Sequence, residues 1–280
     1  TYSSDYVKVR SEAFGAQFEQ HLGAGTLFAD INQRNKDLDG YSLSAYDEIQ
    51  RKQDMDELTA SLRYQLPIGE RHSLIFGLDS LNGETDSVQN GQWDNAHWRS
   101  RQRQHGFFTE GQFRATESTY LTAGARRQYV SSKLDVLSGT SNASDESQHL
   151  TAWQLGLRQE LTTNVGLYAK LGRSFRLPNA DELLSVQTPL QPQTSTDKEL
   201  GITWKSERSS ARLAWFRYDL KNELLYNPLA DGVWGPGTGA NINMDPTRRQ
   251  GIEIEGHYAL TKTLSVNANA TWLQARFRSG

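Results

Sequence analysis

Residues 93–105, WDNAHWRSRQRQH, set two indoles, Trp93 and Trp98, beside three guanidinium groups, Arg99, Arg101 and Arg103. Aromatic faces and guanidinium forks together suit a flat, anionic metal chelate, because a fork donates paired hydrogen bonds while a ring covers an apolar plane. A solvated surface touching phosphates would use the same residue types. The other groups able to do chemistry are His97, His105 and His149, with Asp94, Ser100 and Asp145 nearby. Their spacing matches neither a metal signature nor a catalytic triad, so no enzyme is expected. The glycine-rich GPGTGAN, residues 235–241, follows no strand-to-helix pattern and reads as loop rather than phosphate cradle. Asn142 in NAS matches a glycosylation acceptor by its letters alone. In RRQGIEIEGHY, residues 248–258, Glu253, Glu255 and His257 alternate with Ile252, Ile254 and Tyr258.

That alternation predicts a strand, since successive side chains of a strand point to opposite faces. Which face meets water depends on the rest of the chain. The 280 residues carry no linker or low-complexity tract and read as one domain, residues 1–280. Thirty basic residues against 33 acidic give a net charge of −3, and no basic stripe interleaves with aromatics, so no nucleic-acid partner is expected. Cysteine is absent, which excludes disulfides and thiolate chemistry. No stretch approaches the ~18 apolar residues of a membrane helix. The opening TYSSDYVKVR lacks the order of a signal peptide, so the chain is expected to be a mature product or a piece of something longer.

Connections are more informative than motifs. Short polar turns fall near residues 19–23, 67–71, 115–118, 162–164, 206–209 and 260–263, and long polar segments at 32–54, 84–103, 131–148, 175–195 and 228–246. The two kinds alternate strictly. Soluble sandwiches have no reason to put every long loop at one end, whereas outer-membrane barrels have short periplasmic turns and long extracellular loops. The strands between repeat the opening pattern: Leu58, Ala60, Leu62 and Tyr64 share one face, as do Leu200, Ile202 and Trp204. Trp204 and Tyr258 stand beside short turns, while Trp272 stands about eight residues up from one, implying two aromatic belts. Residues 211–220 offer two competing phases, and residues 6–18 change phase as if at a bulge. The expected fold is all-β: an antiparallel transmembrane β-barrel segment of about twelve strands.

The segment GLYAKLGRSFRLPNADELL, residues 166–184, followed by LQPQTSTDKELGITW, YDLKNELLY, NINMDPTRRQGIEIEGHY and LSVNANATWLQARF, resembles in that order the distal barrel of TonB-dependent outer-membrane receptors. FFTEGQFRATESTYLTAGARRQY, residues 107–129, resembles an earlier hairpin of the same barrel. The resemblance implies a bacterial outer-membrane location, contact with lipid, and a barrel of twenty-two strands around an N-terminal plug energised through TonB. No plug precedes the first strand and the final strands are missing, so an internal barrel segment with two unpaired edges is expected.

It further implies energy-coupled uptake of a metal chelate, a ferric siderophore first, with cobalamin as the alternative. Phe175, Arg176 and Pro178 match part of a haem-receptor motif, but the second motif is reduced to Pro189 and Leu190 and no His lies between, which disfavours haem. Ligand contact is expected at Trp93, Trp98, Arg99, Arg101, Arg103, Phe175 and Arg176. Barrel-wall glutamates of the resembling motifs meet plug arginines, which assigns plug contact to Glu199 and Glu253, with Glu255 as alternate. Arg158, Lys170 or Lys205 would be their partners in a solvated channel wall. No cofactor is implied; a barrel enzyme or a soluble β-sandwich binding protein are the other classes.

Overall fold

The computed structural model describes residues 5–43, 48–92, 95–183 and 186–278. Strands β1 (Tyr6–Leu22), β2 (Gly25–Leu43), β3 (Glu48–Ile68), β4 (His72–Gly91), β5 (Ala96–Arg114) and β6 (Thr119–Ser138) come first. They are followed by β7 (Ser144–Glu160), β8 (Val165–Arg176), a single helical turn α1 (Ala180–Leu183), β9 (Gln193–Lys205) and β10 (Ser209–Lys221). The short strands β11 (Leu224–Asn227) and β12 (Ala240–Asn243) precede β13 (Thr247–Ala259) and β14 (Ser265–Phe277).

Twelve of these form one antiparallel sheet in the order β1 to β10, then β13 and β14, while β11 and β12 make a separate hairpin within the β10–β13 connection. Each strand of the sheet lies beside its neighbour in sequence. The short turns therefore share one end and the longer connections the other, as the alternation of connection lengths predicts. The sheet does not close: among the described residues β1 pairs with β2 alone and β14 with β13 alone.

Three of the five expected long loops prove to be mostly strand. β2 to β6 run 19, 21, 20, 19 and 20 residues, about twice the ~10 needed to cross a bilayer. Beyond the apolar band these strands are mostly polar, with scattered apolar residues such as Trp98, Val130 and Leu134, and polarity without alternation looks like loop in sequence. Longer connections remain at residues 177–192 and 222–246. β1 pairs with β2 in unbroken register from Tyr6 to Leu22, so the expected bulge is absent there; a register shift occurs instead at His97/Trp98 on β5.

Register fixes the faces. Leu213 lies between Ile202 and Ile254, and Trp215 between Leu200 and Ile252, which settles the phase of β10 with Arg212 on the opposite face. The apolar face stays open to its surroundings: Leu200 is 55 % exposed, Ile254 52 % and Trp272 69 %. A soluble sandwich would cover such a surface with a second layer. The other face is the more occluded. Near the long-connection end it buries Trp98, Val130 and Leu134, and residues 177–192 fold against it through a small cluster of Val186, Leu190 and Leu224.

If the apolar face meets hydrocarbon, Leu213→Arg destabilises the folded protein by about 2–4 kcal/mol, the cost of a cation near the bilayer midplane. Gln154→Arg on the inner face changes stability by under about 1 kcal/mol. Urea unfolding in lipid vesicles measures both; equal effects would contradict the assignment of faces.

Candidate functional site

The main polar network of the inner face spans β8, β9, β10 and β13. Tyr168 stands directly opposite Gly201, and its ring crosses β9 where a side chain would otherwise stand: a Cβ on Gly201 would come within 2.6 Å of the phenol oxygen. The Tyr168 hydroxyl donates to Glu199 Oε1 at 2.5 Å and accepts from Arg212 Nε at 2.7 Å. Arg212 then uses its remaining nitrogens. Nη2 donates to Glu199 Oε1 at 2.7 Å, and Nη1 lies 3.0 Å from Glu253 Oε2 and 3.1 Å from Glu255 Oε1. Lys170 Nζ is 4.0 Å from Glu199, at the limit of an ion pair.

Three carboxylates thus share one guanidinium and one distant ammonium. The Glu199 side chain is 16 % exposed and held by the phenol and the fork, whereas that of Glu255 is 50 % exposed. Spare acceptor capacity sits on Glu253 and Glu255, where a further cation arriving from the interior would find it.

All three glutamates expected to face the interior do so, and one side chain gathers them. That side chain is Arg212 rather than Arg158 or Lys205, the partners of the solvated-wall alternative. Arg158 pairs with Glu160 at 2.6 Å, and Lys170 contributes only at long range. Arg212 becomes legible once β9 and β13 fix the phase of β10, because Arg212 and Leu213 must then stand on opposite faces.

A second network crosses β5. Arg126 on β6 donates two bonds of 2.6 Å to Asp79 on β4, passing over Gly106, where a Cβ would meet Asp79 Oδ1 at 2.5 Å. Gln128, Gln104, Gln102 and Ser132 continue the chain of hydrogen bonds toward the buried Trp98 and Leu134.

The third feature fastens the 177–192 connection. Asn179 and Glu182 form a reciprocal cap on α1: Glu182 N donates to Asn179 Oδ1 at 2.8 Å and Asn179 N to Glu182 Oε2 at 2.9 Å. Arg176 grips the same carboxylate with bonds of 2.9 and 2.5 Å. Its guanidinium holds the Glu182 carboxyl below the usual carboxylate range, against the opposing effect of burial. Beneath the connection lies a cavity of about 100 Å³ bordered by Val130, Leu183, Val186 and Leu190, with the buried Oε1 of Gln148 unpaired beside it.

The expected chelate surface is not assembled among the described residues. Strand alternation sends Trp98 to the inner face, where it is buried, and Arg99, Arg101 and Arg103 to the outer one, which also carries Phe107 and Leu78. Arg99 donates to Asp86 at 2.6 Å, Arg101 to Glu84 at 3.2 Å, and Arg103 stands opposite Asn82. Burial pushes the Asp86 carboxyl up, but hydrogen bonds from Arg99 and His97 outweigh it and hold the group low. Trp93 lies outside the described residues. Phe175 shares the outer face with Arg173, while Arg176 turns inward to its clamp. His97 is engaged by Asp86 at 2.8 Å and His105 contacts Ser80 at 3.2 Å; among the described residues no three acids or histidines are grouped to hold a metal ion.

The family model described as TonB dependent receptor-like, beta-barrel, matches residues 1–280. A TonB-dependent receptor of Haemophilus influenzae is 23 % identical over 197 residues, covering 68 % of this chain and 54 % of its own length. The ferric yersiniabactin uptake receptor FyuA of Yersinia pestis superposes with a TM-score of 0.77 at 13 % identity, over 98 % of this chain and 44 % of that one. The copper transporter OprC gives 0.79 at 16 % identity, over 96 % and 48 %. The chain spans about half the length of the proteins it matches.

Arg212→Met leaves three carboxylates without their common partner and destabilises the protein by about 1–3 kcal/mol, less than for a fully buried charge because the groups are part-exposed. Adding Glu199→Gln restores part of that loss. Chemical unfolding of the two single variants and the double measures the coupling, and strictly additive effects would show that the cluster is not a unit.

Proposed function

This chain belongs to the TonB-dependent receptor family, and on that premise we propose that it forms part of the barrel of an outer-membrane receptor for energy-coupled uptake of a metal chelate. The family consists of bacterial outer-membrane receptors and transporters rather than enzymes. The cargo we assign is a ferric siderophore, a reading supported by the ferric yersiniabactin for which the Yersinia pestis receptor is named. Fold similarity at this identity does not distinguish that cargo from the copper of OprC, so the two are arms of the test.

The observation that carries the reading is the excess of carboxylates around Arg212, with Glu253 and Glu255 open toward the interior. In a receptor whose barrel encloses a plug, cationic plug side chains would complete this cluster. Such a contact holds the plug in register and still breaks under load, since a partly hydrated ion pair contributes only about 0–1 kcal/mol. Glu199 secures the wall side through Tyr168 and Arg212; Glu253 and Glu255 supply the plug side. Ligand contact falls to the inner face near the long-connection end, where Arg176 fastens the 177–192 connection over Val130. Arg99, Arg101 and Arg103 would add to capture from outside only through the outer rim.

In the full-length receptor, Glu253→Gln with Glu255→Gln should lower ferric siderophore uptake about tenfold while changing ligand affinity at the cell surface by less than about twofold, because binding and translocation draw on different contacts. Normal uptake by that variant would remove the plug assignment. Uptake of copper but of no ferric chelate would replace the cargo.

A further inference from the structure

The outer face of the last five sheet strands carries an asymmetric charge pattern just above the apolar band. Leu171 on β8, Leu200 on β9, Trp215 on β10, Ile252 on β13 and Trp272 on β14 are all exposed on that face. The next two outward positions on each strand hold Arg173 and Phe175, Lys198 and Thr196, Arg217 and Asp219, Gln250 and Arg248, Gln274 and Arg276. Five of the ten are cations and one is a carboxylate.

Like charges also meet directly. Lys198 is the cross-strand partner of Arg217, and Arg248 of Arg276, arrangements that oppose sheet formation unless an anion lies between. Asp219 answers two of the five, with Arg217 Nε at 3.0 Å and Arg248 Nε at 2.7 Å. Arg173, Lys198 and Arg276 have no carboxylate partner among the described residues. Farther from the short turns, the outer face of β4 and β5 is balanced instead: Glu84 and Asp86 face Arg101 and Arg99.

We propose that this basic row is a docking surface for the phosphorylated headgroup of an anionic outer-leaflet glycolipid. Tryptophans mark the membrane interface because their rings are apolar with one polar edge, so Trp215 and Trp272 set the level at which acyl chains end and headgroups begin. Phosphates of a lipid whose chains lie against Leu200 and Ile252 reach the row above. There they bridge the facing cations of β9 with β10 and of β13 with β14. Guanidinium forks suit phosphate oxygens, and four of the five cations are arginine. A soluble anion would satisfy the charges but gain nothing from the apolar strip below. The continuity of strip and row favours a lipid.

The inference rests on the outer-membrane reading and is tested separately from it. The probe is diphosphorylated lipid A, with phosphatidylethanolamine and inorganic phosphate as controls, added to the full-length detergent-purified receptor and read by native mass spectrometry. Arg173→Gln, Lys198→Gln and Arg276→Gln together should raise the dissociation constant for lipid A at least tenfold and leave that for phosphatidylethanolamine unchanged. Arg99→Gln, Arg101→Gln and Arg103→Gln together remove as many cations from the balanced strands and should shift it less than twofold. Should the first triple variant not fold, Arg276→Gln alone should give at least a threefold rise. Unchanged lipid A affinity, equal loss in both triple variants, or displacement of lipid A by millimolar phosphate would each overturn the proposal. A receptor correctly inserted in the outer membrane but indifferent to lipid A contradicts this inference alone; absence from that membrane contradicts the receptor reading.

Discussion

Backbone hydrogen bonding between neighbouring strands is the constraint on which the rest depends. In hydrocarbon an unpaired N–H or C=O has no water to turn to, so a membrane-crossing sheet must satisfy its backbone strand against strand. Here the pairing runs through twelve strands, with one register shift among the described residues. Once register is set, every side chain is assigned to a face, and a slip by one residue would exchange the apolar set for the charged one. The glutamates of β13 face inward because the isoleucines beside them are held in line with Leu213 and Trp215.

The inner face then solves a different problem. Charged side chains there find partners along and across the same sheet. Long side chains must cross a strand to do so, which explains two glycines: Gly201 lies under the ring of Tyr168, and Gly106 under the Asp79–Arg126 pair. Both networks put the pairing group on β10 or β6 and the acid on another strand. Each ties together strands distant in sequence. The cluster at Arg212 differs in having more acid than base, and that imbalance separates a wall built only to be stable from one that can engage a further cationic surface.

The fold was largely legible in the sequence. Turns and alternation gave the number of strands, their order and the outward face, because both are direct consequences of a two-residue period. Extent was less legible: β2 to β6 continue well past the apolar band, and there a mostly polar strand carries no periodic signal. Glu199, Glu253 and Glu255 were readable as inward-facing, but their common partner was hidden. Arg212 lies in a stretch whose apolar residues fit either phase, and only the flanking strands decide between them. Trp98 and the three arginines do not form one surface, because neighbours along a strand point to opposite faces. Trp98 and Arg99 are adjacent in the chain and on opposite faces of the sheet.

The central claim is that one sheet divides lipid from a polar interior by residue parity alone. Spin labels placed singly at residues 250–258 of a full-length receptor cleared of any other cysteine, in lipid vesicles, with collision rates measured against oxygen and a polar nickel chelate, test it most directly. The account predicts oxygen maxima at 252, 254 and 258 and chelate maxima at 253, 255 and 257. Loss of the two-residue period, or maxima exchanged between the two sets, would contradict it.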